Sequence, residues 1–371
     1  MELLSIFEAP FKDTDFLTIL ILYIPFLIFL LYGQRIQFHM SLMEVRGMLS
    51  QLEKMKNIAR FETLNIFKKF ARDEKTVEEA LNSLVESFMI FPESMDPYGI
   101  VKKVEHIVDV RDDKLIGDIK KIVREDVEES QVRNLENMLE ATMALETIYK
   151  IIRHYYLLAK KMGSYIIAVQ LQMLIPLIFN EAKAYLSAVF AFKLGVPIGD
   201  GIGPLVINRL LNGNEKWEIL TKETIVYETS IDGRKTYLVK AHGPGGNVGK
   251  PGEAIKKLLE RDKNIKAVIM IDAALKLEGE KSGSVADGVG AAIGGIGVEK
   301  YKIEEATTKY KVPLYAIVIK QSLLEAISAM KKEIVDSVEE VHRRIRRIIN
   351  EYTSEGDSVI IAGIGNTIGI P

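Results

Sequence analysis

The feature that most constrains this chain is a charge-free apolar run at residues 16–32, FLTILILYIPFLIFLLY. A run of this length is at the short end of what crosses about 30 Å of hydrocarbon as a helix. Pro25 within it is tolerable, because transmembrane helices re-satisfy a carbonyl freed by proline. The residues before it are acidic (Glu2, Glu8, Asp13 and Asp15 against Lys12), unlike the basic start of a removable leader. Arg35, Arg46, Lys54, Lys56 and Arg60 follow the run. The positive-inside rule then predicts a single-pass cell-membrane protein with its N-terminus outside and its main body cytoplasmic. Membrane lipid is the first partner this implies. Residues 162–180 form a second charge-free stretch, interrupted by Ser164, Gln170, Gln172 and Pro176. They are expected to be a buried helix or hairpin; a second crossing would carry the C-terminal half outside the cell.

The chain has 371 residues, with 49 basic against 51 acidic side chains and no cysteine. The near balance gives no electrostatic footprint for nucleic acid, which is not expected as a partner. Without cysteine there are no disulfides, thiolate metal sites or cysteine nucleophiles.

Three regions follow from texture: residues 1–34 with the anchor, an α-helical region at 35–194, and an α/β domain at 195–371. In the second, apolar residues recur at three- and four-residue spacing, as in Leu135, Met138, Leu139 and Leu145. Thr76 with Glu79 reads as a capping box opening a helix over 77–91, and Pro97 suits the first turn of the next. His106 and His154 stand alone among helical neighbours and read as structural. Long helices here permit a homo-oligomer, but the heptad pattern is too broken to assign one.

From residue 195 glycines and β-branched runs take over. Residues 223–230 and 234–241 alternate about Asp232-Gly233, a two-residue hairpin signal. A helix at 253–261, an apolar strand at 265–272, a helix at 302–310, a strand at 313–320, a long helix at 323–352 and a strand at 358–362 follow. Strands alternating with helices predict a three-layer α/β domain with a mostly parallel sheet.

The candidate chemistry lies in four loops. They are Gly199-Asp200-Gly201-Ile202-Gly203-Pro204, the loop from His242 through Gly243, Gly245, Gly246 and Asn247 to Gly249, Ile271-Asp272-Ala273, and Gly363-Ile364-Gly365-Asn366. A phosphate-binding loop of the Walker type fails because Pro251 follows Gly249-Lys250. The run Gly363 to Gly369 misses the dinucleotide fingerprint by one residue, with no helix after it. Asp272 ends an apolar strand, where α/β sheets present functional groups; Asp200 stands just before a helical run, which it could simply cap. His242 beside its glycine loop reads as structural rather than as a ligand.

With its last strand placed first, the α/β domain resembles the spore protease and hydrogenase-maturation endopeptidase superfamily, circularly permuted. The strand and turn VIIAGIGN at 359–366 is similar to that fold's opening strand and Gly-x-Gly-Asn turn. Asp200-Gly-Ile-Gly203-Pro204, the loop from Gly243 to Ile255, Ile271-Asp272-Ala273 and the strand led by Val312-Pro313 then follow in the same cyclic order. The resemblance implies Asp200 and Asp272 as a catalytic pair hydrolysing peptide bonds. It also implies that Gly201, Gly203, Gly243, Gly245, Gly246, Asn247, Gly363, Gly365 and Asn366 admit a protein or peptide substrate. The maturation enzymes hold a metal through a Glu directly after the first aspartate. Gly201 occupies that place, so no obligatory metal or other cofactor is expected. The remaining readings are a non-catalytic ligand-binding or scaffold module, and a nucleotide or phosphate binder using loop amides. The whole chain also resembles an archaeal membrane-protein family of unknown function.

Overall fold

The computed structural model describes residues 16–371 except 88, 91, 93–98 and 294–296; between 16 and 31 the side chains described are Tyr23, Ile24, Phe26 and Ile28. Most side chains of the expected anchor, and Pro97, therefore lie outside the described residues. Two compact units emerge from the contacts, one of residues 1–53 with 148–179 and one of 54–147 with 180–371.

The helical region contains α1 (Phe16–Phe70), α2 (Val77–Val85), α3 (Ile100–Ile122), α4 (Glu129–Met162) and α5 (Tyr165–Leu194). Two expectations fail here. Thr76 takes a helical conformation and its hydroxyl donates to the Asp73 carbonyl, so it caps nothing, and α2 stops at Val85. The stretch 162–180 is one helix with its turn, but it is not buried. Only 22% of the most apolar window of α5 is covered, and Met173 and Leu177 are 72% and 69% exposed. Among the described residues α5 is the one helix long and apolar enough to cross a membrane.

The α/β domain holds a seven-stranded sheet in the order β1-β2-β3-β7-β4-β6-β5. Its strands are β1 (Lys216–Thr221), β2 (Thr224–Ile231), β3 (Arg234–Ala241), β4 (Ile265–Leu275), β5 (Val285–Val289), β6 (Leu314–Gln321) and β7 (Ser358–Gly363). The sheet is mixed rather than mostly parallel. Strands β3, β7, β4 and β6 are mutually parallel, whereas β1, β2 and β3 form an antiparallel meander and β5 runs antiparallel to β6. The edge strands β1 and β5 escape the sequence reading because both are largely exposed and carry no buried stripe.

Period-two alternation explains the layers. On β7, Val359 and Ile361 face α6 (Ile202–Leu210) and α11 (Val338–Tyr352), while Ile360 and Ala362 face α7 (Pro251–Arg261) and α8 (Val298–Tyr310). Strand β4 splits in the same way, with Ile269 and Ile271 on one side and Val268 and Met270 on the other. Each fully buried Val, Ile or Met side chain contributes about 1.5–3 kcal/mol. In α11 the buried residues Val338, Val341, Ile345, Ile348 and Ile349 make one stripe. The hairpin turn is as its sequence predicts: Asp232 and Gly233 both have positive φ, +46° and +78°, matching the twist of β2 and β3.

The expected long helix 323–352 is instead three, α9 (Leu323–Ile327), α10 (Lys332–Val335) and α11. No proline or glycine breaks it. Extended Ser328–Lys331 pairs with the chain before the Asp200 turn, through the Ala329–Ile198 bridge and Met330 N–H to the Pro197 carbonyl. A capping box absent from the sequence reading opens α9: Ser322 and Glu325 exchange bonds. Glu325 is buried, which alone would raise its pKa. Lys331 at 2.8 Å, the Ser322 N–H and Ser282 Oγ hold it down instead, to about 2. A depressed pKa contributes stability above the unfolded value and loses it as pH falls. Glu325→Gln is therefore expected to destabilise by up to about 3 kcal/mol at pH 7. In denaturant melts the gap to wild type should close between about pH 4.5 and 2.

Candidate functional site

The carboxyl ends of the parallel strands β3, β7 and β4 converge on one cavity of about 570 Å³. Strand β4 supplies Asp272, which does not end the strand as expected: pairing with β6 continues to Leu275. The turn beyond β7 supplies Gly365 and Asn366, and the loop beyond β3 supplies Gly246 and Asn247. Asp200 comes from the 3₁₀ turn Gly199–Gly201 that feeds α6. Of the residues singled out from sequence, Asp200, Asp272, Gly246, Asn247, Gly365 and Asn366 line this cavity. Gly201, Gly203, Gly243, Gly245 and Gly363 are not among its lining residues.

Those other glycines act through backbone packing. A Cβ on Gly203 would stand 2.2 Å from the Ile364 carbonyl, one on Gly363 2.3 Å from the Gly203 carbonyl, and one on Gly243 1.7 Å from the Ile370 carbonyl. A Cβ on Gly201 would meet the Asn366 carbonyl at 2.7 Å and one on Gly245 the Ser130 backbone at 3.0 Å. Missing side chains thus let the three loops nest against each other and hold the aspartates between them.

Several of the loop amides are already engaged inside the protein. Asn366 N–H donates to Asp200 Oδ2 at 2.8 Å, Gly246 N–H to Asn134 Oδ1, Ile364 N–H to the Ile271 carbonyl and Thr367 N–H to the Asn247 carbonyl. Loops that receive phosphate instead aim free N–H groups at it. Burial pushes the Asp200 carboxyl above its ordinary pKa, and the single Asn366 N–H pulls less strongly the other way. Asp272 is buried, and its Oδ1 accepts the N–H of Ala273 at 2.7 Å.

The opposite wall comes from α3 and α4. Asn137 donates to the Gly246 carbonyl at 2.6 Å and accepts from Asn366 Nδ2 at 3.1 Å, clamping two of the loops to α4. Arg133 bridges Glu136, at 3.0 Å, and Glu223. Lys250 reaches Asp109 of α3 at 2.5 Å. Glu299 accepts the Gly252 N–H at the start of α7 at 2.7 Å. Nine carboxylates and four basic groups line the cavity. None of the α3 and α4 residues was singled out from sequence. The available signal was Asn134 and Asn137, two poor helix formers within one helix.

Burial drives Glu136 up to about 7 against the pull of Arg133. A raised carboxyl pKa costs stability as pH climbs from the unfolded value, about 4.5, to the folded one. Glu136→Gln should remove that slope and stabilise the protein by up to about 3 kcal/mol at pH 8. Urea titrations at pH 5 and pH 8 read the difference; equal effects at both would contradict it.

His242 is exposed and outside the cavity lining, and His106 and His154 are exposed on helices. Among the described residues no group of three His, Cys, Asp or Glu side chains is placed to hold a metal ion.

No curated protein and no solved structure matches the chain. Family models do. Residues 19–195 match the N-terminal domain of a protein of unknown function, DUF1512, and residues 198–371 match the DUF1512 C-terminal domain of unknown function. These spans meet where the helical region gives way to the Asp200 turn, and together they take in nearly all of the sequence: the chain belongs to the DUF1512 family.

Proposed function

We propose that the cavity is a hydrolytic site in which Asp200 and Asp272 cleave peptide bonds as an acid/base pair. The supporting observation is that two carboxylates distant in sequence, one from the turn before α6 and one from β4, line one cavity. Burial favours the protonated form of Asp200, and Asp272 accepts the Ala273 N–H at 2.7 Å. Asp272 takes a proton from water as the oxygen adds to the amide carbonyl, and Asp200 donates to the carbonyl oxygen. The amine then leaves with the proton held by Asp272, and collapse of the tetrahedral centre returns a proton to Asp200. The domain is read as a circularly permuted relative of the spore protease fold. The apolar run at 16–32 tethers it to the membrane with the body in the cytoplasm, so the substrate is cytoplasmic or membrane-proximal protein.

The acidic lining and the engaged loop amides weigh against a phosphorylated ligand. Detergent-solubilised protein incubated with a peptide library and followed by mass spectrometry tests the proposal. Cleavage should occur with wild type and fall by roughly 10²-fold or more in Asp200→Asn and in Asp272→Asn. No cleavage by wild type, or equal cleavage by all three, would sink it.

A further inference from the structure

The unit formed by residues 1–53 and 148–179 sets the register of three helices. Tyr149 of α4 bonds Glu53 of α1 at 3.1 Å, while further along α4 Ala159 packs with Leu42. Thus α4 runs antiparallel to α1. Gln172 of α5 receives Ser41 Oγ at 2.6 Å and bonds Glu44, and Ala168 joins the cluster with Leu42 and Ala159. The two-residue turn after Met162 sends α5 back beside α4, and therefore parallel to α1. Both registers place the α4–α5 turn, at Gly163-Ser164, level with residues 35–38 of α1. At about 1.5 Å per residue the turn stands roughly 5–9 Å beyond Tyr32, the end of the apolar run.

A hydrocarbon core of about 30 Å carries roughly 5–8 Å of headgroup layer on each side. With residues 16–32 in the core, the turn falls in that layer. Its chemistry suits the place. Met162 and Ile166 are 65% and 67% exposed, and Lys160, Lys161 and Arg35 are exposed cations beside them. Apolar side chains among cations are what interfacial segments present to anionic headgroups. The same register excludes a second crossing in the same slab. The rest of the apolar stretch of α5 lies alongside α1 residues that include His39, Glu44 and Arg46, and would have to carry them into hydrocarbon.

We infer that the α4–α5 turn is a second membrane contact, its tip seated in the headgroup layer where α1 emerges, and that α5 does not cross the bilayer. This goes beyond the peptidase proposal and rests on the anchor at residues 16–32.

The cysteine-free chain makes the test clean. Single cysteines at Ile24, Met162, Ile166, Met173 and Leu177, all exposed, are labelled with a fluorophore in the full-length protein, reconstituted into phosphatidylcholine–phosphatidylglycerol vesicles. Lipids carrying a nitroxide at the headgroup or deep in the acyl chain report depth. Ile24→Cys should be quenched by the deep nitroxide, and Met162→Cys and Ile166→Cys several-fold more by the shallow one. Met173→Cys and Leu177→Cys should be quenched by neither and react with a membrane-impermeant maleimide. Deep quenching at Met173→Cys would mean that α5 crosses. Absence of any lipid quenching at Met162→Cys and Ile166→Cys would overturn the contact, including the case where these positions cross-link between copies. An unquenched Ile24→Cys would remove the anchor beneath it.

Discussion

Gly365→Ala is expected to lower the melting temperature by roughly 10 °C, equivalent to about 4 kcal/mol. Gly365 has φ +134°, a conformation that L side chains rarely adopt, and its Cβ would stand 1.9 Å from the Asp200 carbonyl oxygen and 2.9 Å from its carbon. Neither neighbour is a flexible tip. Both belong to the backbone that presents the Asp200 carboxylate, so relief of the clash must displace that carboxylate from the Asn366 N–H. Stability and the site should therefore fail together. Gly117→Ala is the internal control: it lies within α3, has nothing within 4 Å, and should stabilise by up to about 1 kcal/mol. Calorimetric melts of the two variants check both signs. Gly365→Ala melting with wild type would show that the loops do not nest as described.

Asp200→Asn is expected to lose activity and gain stability. Proton transfer by a positioned carboxyl is worth about 10²–10⁴ in rate, and an amide of the same shape cannot supply it. The stability effect follows from the raised pKa of Asp200, whose ordinary value is 3.8. Below that value the group is protonated in folded and unfolded chains alike, and it affects neither. Above it the unfolded chain releases a proton that the folded chain retains, so wild-type stability declines as pH rises. Asparagine stays neutral and still accepts the Asn366 N–H. Its melting temperature should match wild type near pH 4 and exceed it at pH 7 to 8. Parallel stability profiles across that range would mean that Asp200 is not held protonated, and the proposed acid would be lost with it. The paired substitution Asp272→Asn should abolish cleavage by the same route.

Much of the α/β domain was legible from local pattern. The runs of β4 and β7 are apolar on both faces, which only a sheet covered on both sides can use, and Asp232-Gly233 specifies its own turn. The amphipathic stripe of α11 is equally plain. Other features left no such mark. The break between α9 and α11 arises because Ala329 and Met330 pair with Ile198 and Pro197, a contact across more than a hundred residues. The polarity of 162–180 suggested burial, yet much of α5 is uncovered, since composition says how apolar a helix is and not what lies against it.

The candidate site divides in the same manner. Glycines at sharp turns and an aspartate closing an apolar run are visible as residues, because turn geometry and strand polarity are local properties. Which glycines face a cavity and which press backbone on backbone is decided by distances between loops. So is the wall from α3 and α4: Asn137 reaches Gly246 and Asn366 from more than a hundred residues away, with only an unfavourable asparagine in a helix to hint at it. By itself the sequence determined the anchor-like run, the strand and helix types, and membership of a family. Tertiary structure alone placed β7 at the sheet's centre, joined Asp200 to Asp272 in one cavity, and set the α4–α5 turn just beyond the end of the apolar run. The physical reason is the same throughout. Periodicity along a chain encodes which face an element buries, whereas the choice of partner is a property of packing summed over the whole fold.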